Sequence, residues 1–253
     1  MAYSITISDK YSQWRDFLLA IPQRMDSEGT WIYGRKRNLI KSFVTNDGTT
    51  LVVKRYHKPH GINVIVYSSG IRKPKGERAY RYAKVLNRHG VNTPEPVAYI
   101  EHRCCGMLLD SYLVTMQCPY RHRLYEMGDA TPEAYEPMAE ALAAFTAHMH
   151  NEGILHLDFS PGNILWDKDS LCNYHFSLVD INRMRFGKIS MEAGCKNFAR
   201  LWGSKAFIIL LSKHYACLRG FNEDEAVKIT LDARRKFWTR HLRHNTVGFK
   251  LEI

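Results

Sequence analysis

Three oxygen-bearing side chains stand at intervals suited to one site. Asp158 and Asn163 flank the turn Ser160-Pro161-Gly162, and Asp180 closes the β-rich run Phe176-Ser177-Leu178-Val179. The first stretch reads His156-Leu157-Asp158-Phe159-Ser160-Pro161-Gly162-Asn163 and runs on into Ile164-Leu165-Trp166. An acid and an amide five positions apart around a Pro-Gly turn can face one cleft, and an acid at the end of a strand can enter that cleft from beside it. Phosphoryl transfer from ATP asks for a carboxylate near the acceptor hydroxyl, oxygen ligands for Mg²⁺, and cations along the phosphates. Asp158 answers the first need, Asn163 and Asp180 the second. The same residues also make ordinary turns, so the weight comes from their context: a helix before, short strands after, and a second acid downstream.

The elements that must position these groups can be read around them. Residues 131–151 carry Met138, Leu142, Phe145 and Met149 on one helical stripe, with Gly153 as terminator; Pro137 places the start of the regular part near itself. This helix is expected to prop the Asp158 loop from behind. Residues 168–173 make the turn before the Asp180 strand. Two further helices are expected over 204–218 and 223–240, and a shorter one over 191–202.

The amino-terminal half is strand-rich. A short helix over 11–20 is expected to stop before Pro22, and Trp31-Ile32-Tyr33, 39–44 and 51–56 then read as three antiparallel strands, the last two joined by the hairpin signal Asn46-Asp47-Gly48. Lys54 lies on the third strand, either facing solvent at an edge or reaching toward phosphates. Gly34 and Arg35 open a basic turn with Lys36 and Arg37, which is expected to contact phosphate as well. Residues 76–89 read as a helix with Ala79, Tyr82, Ala83 and Leu86 on one face. Glu77 is the only acid between Lys54 and Gly90. It can pair with Lys54 or simply favour the positive end of its own helix, since 100° per residue puts it nearly opposite the apolar stripe. Three more strands follow over 97–100, 107–109 and 112–116. The boundary between a small unit, 1–117, and a larger one, 118–253, is expected at Gln117-Cys118-Pro119, where backbone groups of Gln117 and Cys118 can meet adenine. His102, Cys104 and Cys105 are too crowded for a metal site and read as loop.

Bulk properties narrow the class. The net charge of +11 points to an anionic partner. Ile62-Asn63-Val64-Ile65-Val66-Tyr67, followed by Arg72, Lys73 and Lys75, suits either a cover over the sheet or contact with an anionic bilayer. Arg234, Arg235, Lys236, Arg240 and Arg243, interleaved with Phe237 and Trp238, read as a solvated basic face or a docking surface for anionic lipid or RNA. No apolar run approaches the ~20 residues of a membrane span, and no secretory signal is expected from the first residues. The six cysteines lack paired spacing and are expected to be reduced thiols in a cytoplasmic protein.

The loop 156–163, Asp180 and the strand Lys54 resemble the catalytic loop, metal-binding Asp and phosphate-binding Lys of the protein-kinase-like superfamily. Ser160 stands where Ser/Thr kinases carry Lys, and Leu157 where Arg would hold a phosphorylated activation loop, so a regulated protein kinase is disfavoured. With Val179-Asp180-Ile181-Asn182, residues 75–99 and Asn197-Phe198-Ala199-Arg200-Leu201-Trp202, the chain resembles the lipopolysaccharide core kinases that act on Kdo and heptose. That resemblance implies an α+β, two-lobed kinase-like fold with a small antiparallel-sheet lobe and a reduced, mainly helical second lobe. It also implies ATP and Mg²⁺ as cofactors. The implied acceptor is a sugar hydroxyl on an anionic glycolipid, the lipid A-core, reached at the inner face of the cytoplasmic membrane; nucleic acid is not expected. An atypical RIO-like protein kinase and an inactive nucleotide-binding scaffold are the alternatives.

Overall fold

The computed structural model describes residues 2–34, 38–59, 61, 67–68 and 71–253. The chain divides into two compact units, 1–87 with 94–118 and 88–93 with 119–253.

The first unit is built on one antiparallel sheet of order β1-β5-β6-β4-β3-β2, formed by β1 (Ala2–Ile7), β2 (Thr30–Tyr33), β3 (Asn38–Val44), β4 (Thr50–Tyr56), β5 (Pro96–Cys104) and β6 (Met107–Met116). The expected 31–56 hairpins are present. In the β3–β4 turn, Asp47 accepts from Thr45 Oγ1 at 2.5 Å and from the Thr49 N–H at 3.1 Å, and Trp14 Nε1 donates to its other oxygen at 2.9 Å. One face of the sheet buries Leu51, Val53, Val97, Ile100 and Val114 against Leu18, Ile21 and Met25. Burying each such side chain contributes about 1.5–3 kcal/mol.

Three local expectations change, and one strand is added for which there was no expectation. The amino-terminal helix, α1 (Arg15–Arg24), continues through Pro22. Proline there forgoes one bond to the carbonyl four residues back, but only two helical residues follow it, and both Ile21 and Pro22 are buried. Residues 2–7 form a strand pairing with β5 from Ala2↔Arg103 to Ile7↔Ala98, in line with the alternation of Tyr3, Ile5 and Ile7. Residues 107–116 form one strand rather than two: Ser111 pairs with Tyr56 of β4 and Glu101 of β5, and pairing to β5 resumes at Leu108 beyond an irregularity in register. Helix α2 (Lys75–Arg88) buries Ala79, Tyr80, Ala83 and Leu86, with Tyr80 in the place expected for Tyr82.

The second unit is mainly helical. Helix α3 (Pro132–Asn151) starts at Pro132 rather than near Pro137, because proline fits the first helical position, where its missing N–H costs nothing. It buries Met138, Leu142 and Met149, with Phe145 half-buried. Strands β7 (His122–Arg123), β9 (Ile164–Lys168) and β10 (Tyr174–Leu178) form one small sheet, and β8 (Ile154–His156) pairs with β11 (Met184–Phe186). The segment 88–93 is tied to β10: Leu178 N–H donates to the Asn92 carbonyl at 2.9 Å, and Thr93 Oγ1 to the Leu178 carbonyl at 2.7 Å.

Helices α4 (Met191–Asn197), α5 (Lys205–Arg219) and α6 (Glu223–His241) follow, their first turns capped by Ser190, Ser204 and Asn222. One member of the expected basic face is not on the surface. Arg234 is completely buried and donates to the carbonyls of Leu201 at 2.5 Å, Gly203 at 2.8 Å and Glu252 at 3.3 Å. A planar guanidinium can satisfy three converging carbonyls at once, which a row of solvated lysines could not. Burial lowers its pKa to about 10. No helix among the described residues is long and apolar enough to cross a membrane.

Candidate active site

Lys54 sits on β4 between β3 and β6, an interior strand, with Ile40 and Leu113 directly opposite. Its ammonium lies 5.1 Å from the centre of the Tyr56 ring. Tyr99 faces Leu113 across the next pair, and Gly76 of α2 lies against Tyr99 and Ser111, so α2 covers the same face of the sheet as Lys54. Glu77 lies within ion-pair distance of Arg81 at 2.7 Å and of Lys73 at 3.4 Å. Gly34 has φ +85, and a Cβ there would stand 1.8 Å from the Asn38 carbonyl oxygen, so this turn requires glycine. Arg35, and the run 62–66 weighed for membrane contact, lie outside the described residues. At the end of the unit the Gln117 N–H donates to the Thr50 carbonyl at 3.2 Å, and Cys118 is half-buried.

In the second unit the loop after β8 is wound around His156. That residue is fully buried; its Nδ1 accepts the Asp158 N–H at 3.0 Å and its Nε2 lies 3.2 Å from the Val179 carbonyl. The two contacts require opposite roles, acceptor at Nδ1 and donor at Nε2, so the imidazole is neutral with its proton on Nε2. Burial lowers its pKa in the same direction. Asn163 Nδ2 donates to the Asp158 carbonyl at 2.9 Å, closing the turn and leaving Oδ1 as the amide's ligand atom. The Val179 N–H donates to the Asn163 carbonyl at 3.0 Å. The residue preceding Asp180 is therefore bonded at both its backbone polar groups to the Asp158 loop.

Asp180 itself has φ +55, the left-handed region that Asp tolerates better than most side chains, and Asn182 Nδ2 donates to its Oδ1 at 2.5 Å. Asp158, Asn163 and Asp180 thus belong to one hydrogen-bonded assembly. An Asp carboxylate and an Asn amide oxygen are the hard oxygen donors that Mg²⁺ selects, and their partial exposure leaves room for the phosphate and water ligands that ion retains.

Behind the loop runs a buried polar chain. Arg219 Nη1 donates to Tyr215 Oη at 3.1 Å, and Tyr215 Oη lies 2.8 Å from His150 Nδ1. His150 Nε2 lies 3.3 Å from Asn197 Oδ1, and Asn197 Nδ2 donates to the His156 carbonyl at 2.9 Å. Burial pushes the His150 pKa down to about 3, so it too is neutral. Gly194 allows this packing, since a Cβ there would lie 2.0 Å from the tyrosine hydroxyl. Phe159, buried among His156 and Phe198, anchors the loop's other side.

Sequence reasoning overlooked two arginines. Arg200 Nη1 ion-pairs with Asp158 Oδ1, and Arg183 Nη1 lies 3.7 Å from Asp158 Oδ2. Arg200 is 42 positions from Asp158, too far for any spacing rule; its one signal was its place in the family-like stretch 197–202.

A model of the lipopolysaccharide kinase (Kdo/WaaP) family matches residues 23–218. A solved structure of WaaP in complex with acyl carrier protein is similar, with 17% identity and a TM-score of 0.63 over 93% of this chain and 98% of that one. The Rio2 kinase ADP/Mg²⁺-phosphoaspartate complex from Chaetomium thermophilum gives 16% identity and a TM-score of 0.49 over 87% and 69%. No curated protein sequence matches. At such identities the likeness to WaaP speaks to the fold, which is kinase-like.

Proposed function

The chain belongs to the lipopolysaccharide kinase (Kdo/WaaP) family, and from that premise we propose that it transfers the γ-phosphoryl group of ATP to a Kdo or heptose hydroxyl of the inner core at the cytoplasmic face of the membrane. The class of reaction follows from the family: a phosphotransferase with an alcohol acceptor, using ATP. The residue roles, the acceptor sugar and the location are our reading. What supports the roles is the single assembly in which His156, Asn163 and Val179 bind the Asp158 turn to the residue before Asp180.

In this mechanism Asp158 orients the acceptor hydroxyl and takes its proton as the new oxygen–phosphorus bond forms and the bond to the ADP oxygen breaks. A carboxylate in this role contributes roughly 10²–10⁴ in rate. Asp180 and Asn163 would hold Mg²⁺, which neutralises charge on the phosphate oxygens when bound. Lys54 contacts the α- and β-phosphates, and Glu77 brings a negative charge to the same face of its sheet. Gly34 with Arg35 lines the phosphates, and Gln117 and Cys118 offer backbone groups to adenine. His156 holds the loop and moves no proton, because both its ring nitrogens are already committed to backbone partners.

The test is phosphate transfer to purified lipid A-core, read by mass spectrometry, with Asp158→Asn and Asp180→Ala. Each variant is expected to lose about 10²-fold or more in kcat. Unchanged transfer in both would end the assignment of these residues.

A further inference from the structure

The proposed base is not free to act as it stands. Asp158 carries two guanidiniums, Arg200 on Oδ1 and Arg183 at 3.7 Å from Oδ2. The three groups sum to a surplus positive charge. Their side chains are 25%, 39% and 57% exposed for Asp158, Arg200 and Arg183, so the cluster opens to solvent. Arg200 is also aimed: its guanidinium lies 5.2 Å over the Phe237 ring, which fixes the plane of the fork. Arg234 offers the contrast, since its donors are used on three carbonyls and it can take no ligand.

Resting on the mechanism above, we infer that Arg200 and Arg183 form an acceptor-side anion subsite. Its ligand is a carboxylate or phosphate group carried by the sugar next to the hydroxyl that reacts. To pass its proton to Asp158, the acceptor oxygen must come within about 2.6–3.2 Å of that carboxylate. The guanidiniums already touch the same two oxygens. An anionic group about four bonds from the reacting oxygen, as a phosphate on the neighbouring carbon is, therefore falls within their reach. A partly exposed Arg–Asp pair contributes little by itself, so exchanging it for the ligand's anion is inexpensive. Guanidinium forks bind carboxylate and phosphate bidentately. The exchange does two things at once: it seats the acceptor, and it frees the base from the cation that occupies its oxygen. A neutral sugar would leave Asp158 paired and would be the poorer substrate.

The experiment compares matched acceptors. One pair is a Kdo-bearing lipid A and its Kdo carboxyl methyl ester; the other is a heptosyl lipid A with and without a phosphate beside the acceptor hydroxyl. Dissociation constants by calorimetry and kcat/KM for transfer are measured with the wild type, Arg200→Gln, Arg200→Lys and Arg183→Gln. The wild type is expected to favour the charged member of one pair at least tenfold, and the pair that discriminates identifies the anion. Arg200→Gln should bring the ratio close to one, Arg200→Lys should restore part of it, and Arg183→Gln should have the smaller effect. Equal losses for charged and neutral acceptors in Arg200→Gln would overturn the subsite and leave arginine as a brace for Asp158. Transfer by the wild type without discrimination in either pair would also overturn it while sparing the kinase mechanism. Discriminating binding with no transfer would do the reverse.

Discussion

Lys54 lies on an interior strand of a six-stranded ladder, with Ile40 opposite it on one side and Leu113 on the other, whereas Asp158 lies on a loop with no ladder at all. The loop is held by side chains: a histidine that accepts its N–H, an asparagine that donates to its carbonyl, and a second asparagine that reaches it from α4. Backbone ladders are indifferent to which side chains decorate them, so the Lys54 strand should tolerate conservative changes nearby. A loop positioned by named side chains should not, even for changes well behind it. The cost of misplacing a reacting group is steep, with roughly 10²-fold lost for a 1 Å shift.

Gly194→Ala should show the largest effect of this kind. Its methyl group would collide with Tyr215 and push on His150, at least two hydrogen bonds away from Asp158. Overpacking of this sort costs about 1–3 kcal/mol. A lower melting temperature together with a fall in kcat of roughly tenfold or more is the expected pair of results. A destabilised protein with normal kcat would mean that the loop keeps its shape without the chain of polar groups behind it.

Next in size is the response to acid. His150 is held neutral with a pKa of about 3 against an ordinary 6.5, so the unfolded chain takes up the proton first as pH falls. Stability from this source is complete above about pH 6.5 and is lost progressively toward pH 3. His156, lowered by the same cause, acts in the same direction. His150→Gln keeps a donor and an acceptor; it should cost about 1 kcal/mol at neutral pH and shrink the loss between pH 7 and pH 4. Parallel melting curves for wild type and variant over that range would refute the account.

The smallest effect is expected on the other side of the comparison. Ile40→Val shortens the residue directly opposite Lys54 but leaves both ladders intact. It should cost no more than about 1 kcal/mol and leave the KM for ATP unchanged. A marked rise in that KM would show that side-chain packing, and not strand register, sets the position of Lys54.

Much of this was open to inspection before any coordinates. The β3–β4 hairpin followed from Asn46-Asp47-Gly48 between two β-rich runs, and α3 from helical spacing closed by Gly153, while α5 and α6 match the helices expected over 204–218 and 223–240. Those signals are local: a turn or cap is decided by residues a few positions apart. The errors came from the same source. Pro22 was read as a stop and Pro137 as a start because proline is locally costly inside a helix, yet the helix runs through each of them. Ser111 looked like part of an interruption because one of its partners, Tyr56 on β4, is far away in sequence.

Residue types and spacing alone determined which groups could do chemistry, namely Asp158, Asn163, Asp180 and Lys54, and the kind of chemistry they suit. Only the tertiary structure decided how each cation is used. It drew Arg234 into the interior to satisfy three carbonyls and set Arg200, equally basic and equally unremarkable in the sequence, beside Asp158. The reason is physical. A charge is stable wherever packing supplies partners for it, and those partners come from segments that meet only when the chain has folded.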